Sequence, residues 1–141
     1  MRSRWLQRWG VALAVCLSAA PLWAKDVEVP QAVDTAFRHY VMLPQLLRPI
    51  LEKVQDKESA DAAAPTLQNV LGHVYDARRD LNKIASLSPD EAAELRRRYE
   101  ADMRAHWGEL YRHILRLQQA KCYESPAFAR PFSTLCMLLE K

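Results

Sequence analysis

The chain has 141 residues, of which 50% are hydrophobic and 26% are charged, and its formal net charge at pH 7 is +3. Arg2, Arg4 and Arg8 account for this whole excess, so the rest of the chain carries balanced charge. A balanced chain has no net field to gather phosphate backbones, which argues against nucleic-acid binding. Only three glycines occur, and no segment alternates as a strand does, so the composition indicates an all-α protein.

Residues 1–24 have the order of a secretory signal peptide. A basic start is followed by the apolar run Gly10–Ala20, and PLWA then places the small residue Ala24 before a charged one. The apolar run is too short to span a bilayer as a helix. We therefore expect cleavage after Ala24 and a single helical-bundle domain of residues 25–141, periplasmic or secreted and without a transmembrane span. An uncleaved anchor and lipidation of Cys16 are the alternatives.

Two amphipathic helices are predicted in the first half of this domain, from apolar residues spaced three and four apart. The first begins near Pro30, and Pro44 and Pro49 interrupt its apolar stripe. Because proline lacks an N–H and crowds the preceding turn, we expect a sharp bend or a break there. Asp56 is placed to cap the second helix, which Pro65 is expected to bend or restart.

A third helix has the clearest start signal in the sequence. Ser88 is a candidate N-cap, Pro89 suits the first helical position, and Glu91 can complete a capping box. Apolar residues then recur at spacings of three and four up to about Lys121. The pattern predicts one continuous helix over this stretch.

The closing stretch KCYESPAFARPFSTLCMLLEK holds Cys122 and Cys136. In an exported protein such a pair predicts a disulfide, which would close a loop of roughly 15 residues and contribute about 3 kcal/mol. Ser125 repeats the Ser-Pro helix start, and Pro131 is expected to separate a short turn from a final helix. The predicted fold is an all-α, antiparallel bundle of about four helices, bent at its prolines, with a C-terminal Cys122–Cys136 disulfide.

One helical face of the third helix carries potential metal ligands. His106, Glu109 and His113 stand at i, i+3 and i+7, and Met103 precedes them by one turn. Such groups can ligate zinc, copper or haem iron. A site also needs ligands from other helices, and the sequence offers no second cluster. No cofactor is therefore expected, and a metal- or haem-binding four-helix bundle is the alternative function.

The sequence has no Gly-x-Ser-x-Gly, Gly-rich phosphate loop or His-Glu-x-x-His motif, so we do not expect an enzyme. Partner binding is the default. Pro44 and Pro49 could open a cleft in the first helix, and Phe128 and Phe132 could form an apolar patch at the end of the bundle. Ordinary core packing is the alternative at all four positions. A partner site needs these side chains exposed, whereas a core needs them buried.

Three stretches, DKESADAAAPTL (residues 56–67), LSPDE (87–91) and RRRYEADM (96–103), resemble small uncharacterised exported bacterial helical proteins. The resemblance implies an exported helical bundle and no known activity. The architecture is also similar to b-type cytochrome four-helix bundles, but the segment after Pro131 has no histidine, so the haem role does not carry over. The expected function is a non-enzymatic interaction or structural role in the cell envelope, with an unknown protein or envelope partner.

Overall fold

The computed structural model describes residues 27–82 and 86–140, and all regular secondary structure in those ranges is helical. The elements are α1 (Gln31–Glu52), α2 (Lys57–Asn82), α3 (Pro89–Asp102), a π-helical turn (Met103–Trp107), α4 (Gly108–Gln119) and α5 (Pro126–Glu140). The chain is all-α, as expected. The predicted signal peptide and Cys16 lie outside the described residues. Within those residues, no helix has both the length and the apolarity that a membrane crossing requires.

The predicted helix starts are confirmed by their hydrogen bonds. The Ser88 hydroxyl accepts from the Glu91 backbone N–H at 3.2 Å, and the Glu91 carboxylate accepts from the Ser88 N–H at 2.8 Å. Asp56 accepts from the Ser59 N–H at 2.8 Å, and the Ser59 hydroxyl accepts from the Asp56 N–H at 3.0 Å. The Ser125 hydroxyl accepts from the backbone N–H three residues later at 3.1 Å. Each contact satisfies an N–H that the first helical turn leaves unpaired.

The prolines do not break their helices, and the final helix does not begin at Pro131. Pro44 and Pro49 lie inside α1, Pro65 inside α2 and Pro131 inside α5, and each helix is assigned as one element across them. An internal proline costs about 3 kcal/mol, whereas each fully buried large apolar side chain contributes about 1.5–3 kcal/mol. Each helix buries apolar side chains on both sides of its prolines, and at least two large ones on one side, so core packing outweighs the missing hydrogen bonds.

α3, the π turn and α4 follow one another directly and form the third rod, residues 89–119. α1 packs between α2 and the third rod, and α5 packs along α2. Contacts between α1 and the third rod occur in the same order along both: Asp34 with Arg98, Gln45 with His106, and Leu51 with Arg116. These two elements are therefore parallel neighbours. A simple antiparallel bundle would instead place them on a diagonal.

A single apolar cluster unites α1, α2, the π turn, α4 and α5. Its largest fully buried side chains include Tyr40, Leu47, Leu51, Leu67, Leu110, Leu117, Phe128 and Leu135. α3 contributes no residue to this cluster, although its Leu95 is buried.

The predicted Cys122–Cys136 disulfide is wrong: both residues are free thiols. The Cys136 sulfur instead accepts a 3.8 Å contact from the Gln118 side-chain amide. Burial raises the pKa of Cys136 to about 11 and also raises the pKa of Cys122, so both thiols stay protonated at neutral pH. α5 is held without a covalent link, because its apolar face is in the core and the Ser125 hydroxyl bonds Asp61 at 2.5 Å.

Arg116 of α4 forms hydrogen bonds to two other segments of the chain, the end of α1 and the turn before α5. Its guanidinium donates to the carbonyls of Leu51 at 2.8 Å and Val54 at 2.7 Å, at the C-terminal end of α1. It also donates to the Tyr123 hydroxyl at 3.1 Å, in the segment that leads to α5. Carbonyls at a helix C-terminus lack helical partners and carry partial negative charge, so a cation here satisfies both requirements.

The chain reverses between α4 and α5 through a left-handed turn, residues 121–124. Four successive residues, none of them glycine, have φ between 49° and 58°. Backbone bonds from Tyr123 N–H to the Ala120 carbonyl (2.9 Å) and from Ser125 N–H to the Cys122 carbonyl (3.1 Å) brace it. A left-handed conformation costs a non-glycine residue about 1–2 kcal/mol. The turn is therefore strained, and the packing on either side of it holds it in place.

Replacing Arg116 with methionine should lower the free energy of unfolding by about 2–4 kcal/mol, because three hydrogen bonds to a charged donor are lost. Urea unfolding followed by circular dichroism measures this. The matched control is Arg112→Met on the same helix, whose side chain is 75% exposed and pairs with Glu109 at 3.1 Å. That change should cost less than about 0.5 kcal/mol. Equal losses in the two variants would contradict the anchoring role of Arg116.

Replacing Glu124 with glycine should raise the free energy of unfolding by about 0.5–1 kcal/mol. Glu124 is exposed and has φ of 58°, and glycine removes the left-handed penalty at a smaller entropic cost. The control Gln68→Gly lies on the exposed face of α2 and should lose about 1 kcal/mol. Thermal or urea unfolding compares the two, and a loss at both sites would show that the turn is not strained.

Candidate functional site

The π turn Met103–Trp107 interrupts the regular geometry of the third rod. A π turn bonds each carbonyl five residues ahead rather than four, and such turns concentrate at functional sites. It places Trp107 in the core with 9% exposure and leaves Met103 and His106 half-buried. The sequence predicted one regular helix here, since the spacing of apolar residues does not reveal a single widened turn.

Tyr40 of α1 packs directly on this turn. Its ring stacks on Trp107 with centroids 4.7 Å apart, and its side chain has no solvent exposure. Among the described residues, the buried Tyr40 hydroxyl has no hydrogen-bond partner. Burial raises the pKa of Tyr40 to about 12, and the nearby Arg78 guanidinium opposes part of that rise. At neutral pH the phenol is therefore a proton-bearing donor.

Arg78 of α2 completes this group, which we name the Tyr40–Arg78–Trp107 cluster. Its guanidinium carbon lies 5.9 Å from the centroid of the Tyr40 ring. It is near enough to stabilise a phenolate, yet the hydroxyl and the guanidinium do not form a hydrogen bond of ordinary geometry. The side chain is half-buried, and none of the described carboxylates lies within ion-pair distance. Its neighbour Arg79, by contrast, pairs with Asp76 at 3.1 Å and Asp80 at 3.4 Å.

The potential metal ligands of the third rod do not converge. The His106 ring nitrogen lies 3.4 Å from the Gln45 amide, and Glu109 pairs with Arg112 at 3.1 Å. His113 is half-buried on α4, and Met103 lies in the π turn. Across residues 27–82 and 86–140, no three His, Cys, Asp or Glu side chains form a group that could hold a metal ion. The structure therefore adds no support for the metal- or haem-binding alternative.

The candidate partner-binding residues have separate locations. Pro44 is buried in α1, whereas Pro49 on the same helix is exposed. Phe128 and Phe132 are buried and stack on each other with ring centroids 5.7 Å apart. By the exposure criterion, Pro44, Phe128 and Phe132 belong to the core of this structure. The four positions do not form one surface.

The cluster was not predicted as a site. Tyr40 and Trp107 occur at helical spacing within the apolar stripes of their helices, and both are buried. Arg78 could have been singled out, because it directly follows the buried Ala77 and lies one turn after the buried Val74. An arginine at the edge of a core stripe needs either solvent or a partner for its charge. The sequence did not show that Tyr40 would face it.

We expect the Tyr40 hydroxyl to make stability depend on alkaline pH. Its pKa is about 12 when folded and 10 when unfolded, so the unfolded chain loses its proton first as pH rises. The stabilisation is complete below pH 10 and is lost between pH 10 and 12, amounting to about 2–3 kcal/mol. Urea unfolding across this range measures it. Tyr99, Cys122 and Cys136 also have raised pKa values, so the difference between the wild-type protein and Tyr40→Phe isolates Tyr40.

At neutral pH, Tyr40→Phe should remain within about 1 kcal/mol of the wild-type protein, since it deletes a buried hydroxyl that lacks a partner. If both proteins lost stability in parallel above pH 10, the buried phenol would not be the cause.

The chain was compared with models of known protein families, with curated proteins and with solved structures, and none of the three comparisons gives a match. The resemblance to small exported helical proteins stays a prediction.

Proposed function

We propose that this chain is an exported helical-bundle protein that acts in the cell envelope by non-enzymatic binding, with the Tyr40–Arg78–Trp107 cluster as its binding site. The observation that carries the proposal is the half-buried residue Arg78, whose side chain lies over the Tyr40 ring and has no carboxylate partner among the described residues. Buried polar groups in folded proteins are normally satisfied. A ligand that contacts Arg78 and the Tyr40 hydroxyl would supply what the described part of the chain does not.

The protonation states of the cluster support binding rather than catalysis. An arginine keeps its proton at any physiological pH. The pKa of Tyr40 is about 12, far above the neutral range in which an efficient general base titrates. These two groups can orient and neutralise a bound molecule, but they are poorly suited to accept a proton from it.

Export rests on the signal-peptide pattern of residues 1–24. The electrical balance of residues 25–141 favours a defined contact over a general electrostatic attraction to nucleic acid or to an acidic surface. The Tyr40–Arg78–Trp107 cluster, in which Arg78 has no carboxylate partner among the described residues, could make such a defined contact.

Native mass spectrometry of the protein isolated from the envelope fraction of its own cells tests the proposal. We expect a polypeptide that begins at Lys25 and a non-covalent added mass that denaturation releases. Arg78→Gln should lose the added mass, because it removes the charge and keeps a polar side chain. The matched control Arg79→Gln alters an adjacent arginine whose side chain is 52% exposed, and it should keep the added mass.

Recovery of an uncleaved chain from the cytoplasm would overturn the export part of the proposal. A wild-type protein without added mass, or an added mass that Arg78→Gln retains, would overturn the binding site.

A further inference from the structure

We infer that the ligand of the Tyr40–Arg78–Trp107 cluster is a small monocarboxylate with an apolar body, its carboxylate held by Arg78 and the Tyr40 hydroxyl. This inference rests on the proposed function and gives it a ligand class.

The sign of the ligand charge follows from Arg78. The guanidinium is a permanent cation, and the described residues place no anion against it. A cationic ligand would be repelled, and a neutral one would leave the half-buried charge uncompensated. An anion is the class that gains most from this position.

The number and type of donors favour a carboxylate. A guanidinium presents parallel N–H groups that match the two carboxylate oxygens, and the Tyr40 hydroxyl adds a third donor. Both groups donate at neutral pH, so an acceptor-only ligand leaves neither without a partner. One cation balances one negative charge, whereas a doubly charged phosphate would enter an apolar environment only partly neutralised.

The surroundings of the cluster favour an apolar body. Val74 and Ala77 of α2 are buried beside Arg78 in sequence, and Leu81, one turn beyond Arg78, is half-buried against the core. Met103 of the π turn is half-buried in the same way. Thioether and aliphatic side chains accommodate varied apolar shapes, and the Tyr40 and Trp107 rings stack with their centroids 4.7 Å apart.

Tyr40 has no solvent exposure, so a ligand reaches its hydroxyl only when a neighbouring side chain moves, and Arg78, which lies over the Tyr40 ring, is the side chain that we expect to move. The Arg78 side chain lies over the Tyr40 ring, and its guanidinium also interacts with the Tyr40 hydroxyl, which lowers the pKa of that group. A cation–π contact of this kind is weak, and the arginine stem is flexible. Arg78 can therefore swing outward, admit a ligand and close on its carboxylate.

Isothermal titration calorimetry of the purified full-length protein with benzoate tests the inference, with benzamide as the uncharged analogue and inorganic phosphate as the competing anion. We expect saturable benzoate binding that is at least about tenfold tighter than binding of either comparison compound. Arg78→Gln and Tyr40→Phe should each weaken benzoate binding by at least about tenfold, and Arg79→Gln should leave it unchanged. Circular dichroism checks that each variant is folded.

Equal affinity for benzamide, or tighter binding of phosphate, would overturn the carboxylate class. Unchanged benzoate affinity in Arg78→Gln or Tyr40→Phe would overturn the assigned residues. If benzoate at millimolar concentration gives no saturable heat while envelope-isolated protein carries an Arg78-dependent mass, the ligand class is wrong and the binding role stands. If that mass is absent as well, the proposed function fails with it.

Discussion

Arg116 is the interaction on which the organisation of this bundle depends. Its guanidinium sits where the C-terminal end of α1, the body of α4 and the turn before α5 meet, and it bonds groups from the first and the last of these segments. Without it, the last carbonyls of α1 would lack a charged partner at a packed helix end. The hydrogen bonds of Arg116 to the end of α1 also fix the axial position of the third rod relative to α1. This register places the π turn beside Tyr40. At the N-terminal end of α1, Asp34 likewise connects α1 to the third rod. Its carboxylate accepts hydrogen bonds from Arg98 at 3.2 Å and from Tyr99 at 3.0 Å.

The two ends of the third rod are thus pinned to α1, and the π turn lies between them. Because both ends of the third rod are fixed against α1, the rod cannot shift along its axis to improve core packing. A misfit between core side chains must then be relieved by a local change in the backbone. A widened turn is one way to rotate Trp107 inward while both ends stay fixed. The contacts at Asp34 and Arg116 therefore bear on the candidate site, because Trp107 of the π turn stacks on the fully buried Tyr40.

The C-terminal segment shows how apolar packing can substitute for a covalent link. The tail buries Phe128, Phe132, Leu135 and Leu139, and each such side chain contributes about 1.5–3 kcal/mol. A disulfide over this loop would add about 3 kcal/mol, which is no more than one or two of these residues provide. The packed tail also explains how the left-handed turn persists, since anchored segments on both sides of it outweigh its strain.

The sequence by itself determined the helical class, the positions of the helix starts and most of the buried residues. These properties depend on side chains within four residues of each other: Asp56 with Ser59, Ser88 with Glu91, and apolar stripes at helical spacing. Only the tertiary structure decided that the helices continue through their prolines, that Cys122 and Cys136 remain thiols, that the third rod contains a π turn, and that Arg78 faces Tyr40. These outcomes depend on contacts between residues far apart in the chain, such as Arg116 with Val54, which are 62 positions apart. A local sequence pattern does not specify which distant part of the chain will pack against a given helix face. The candidate site, and the hydrogen bonds that position its helices, therefore depend on the folded structure.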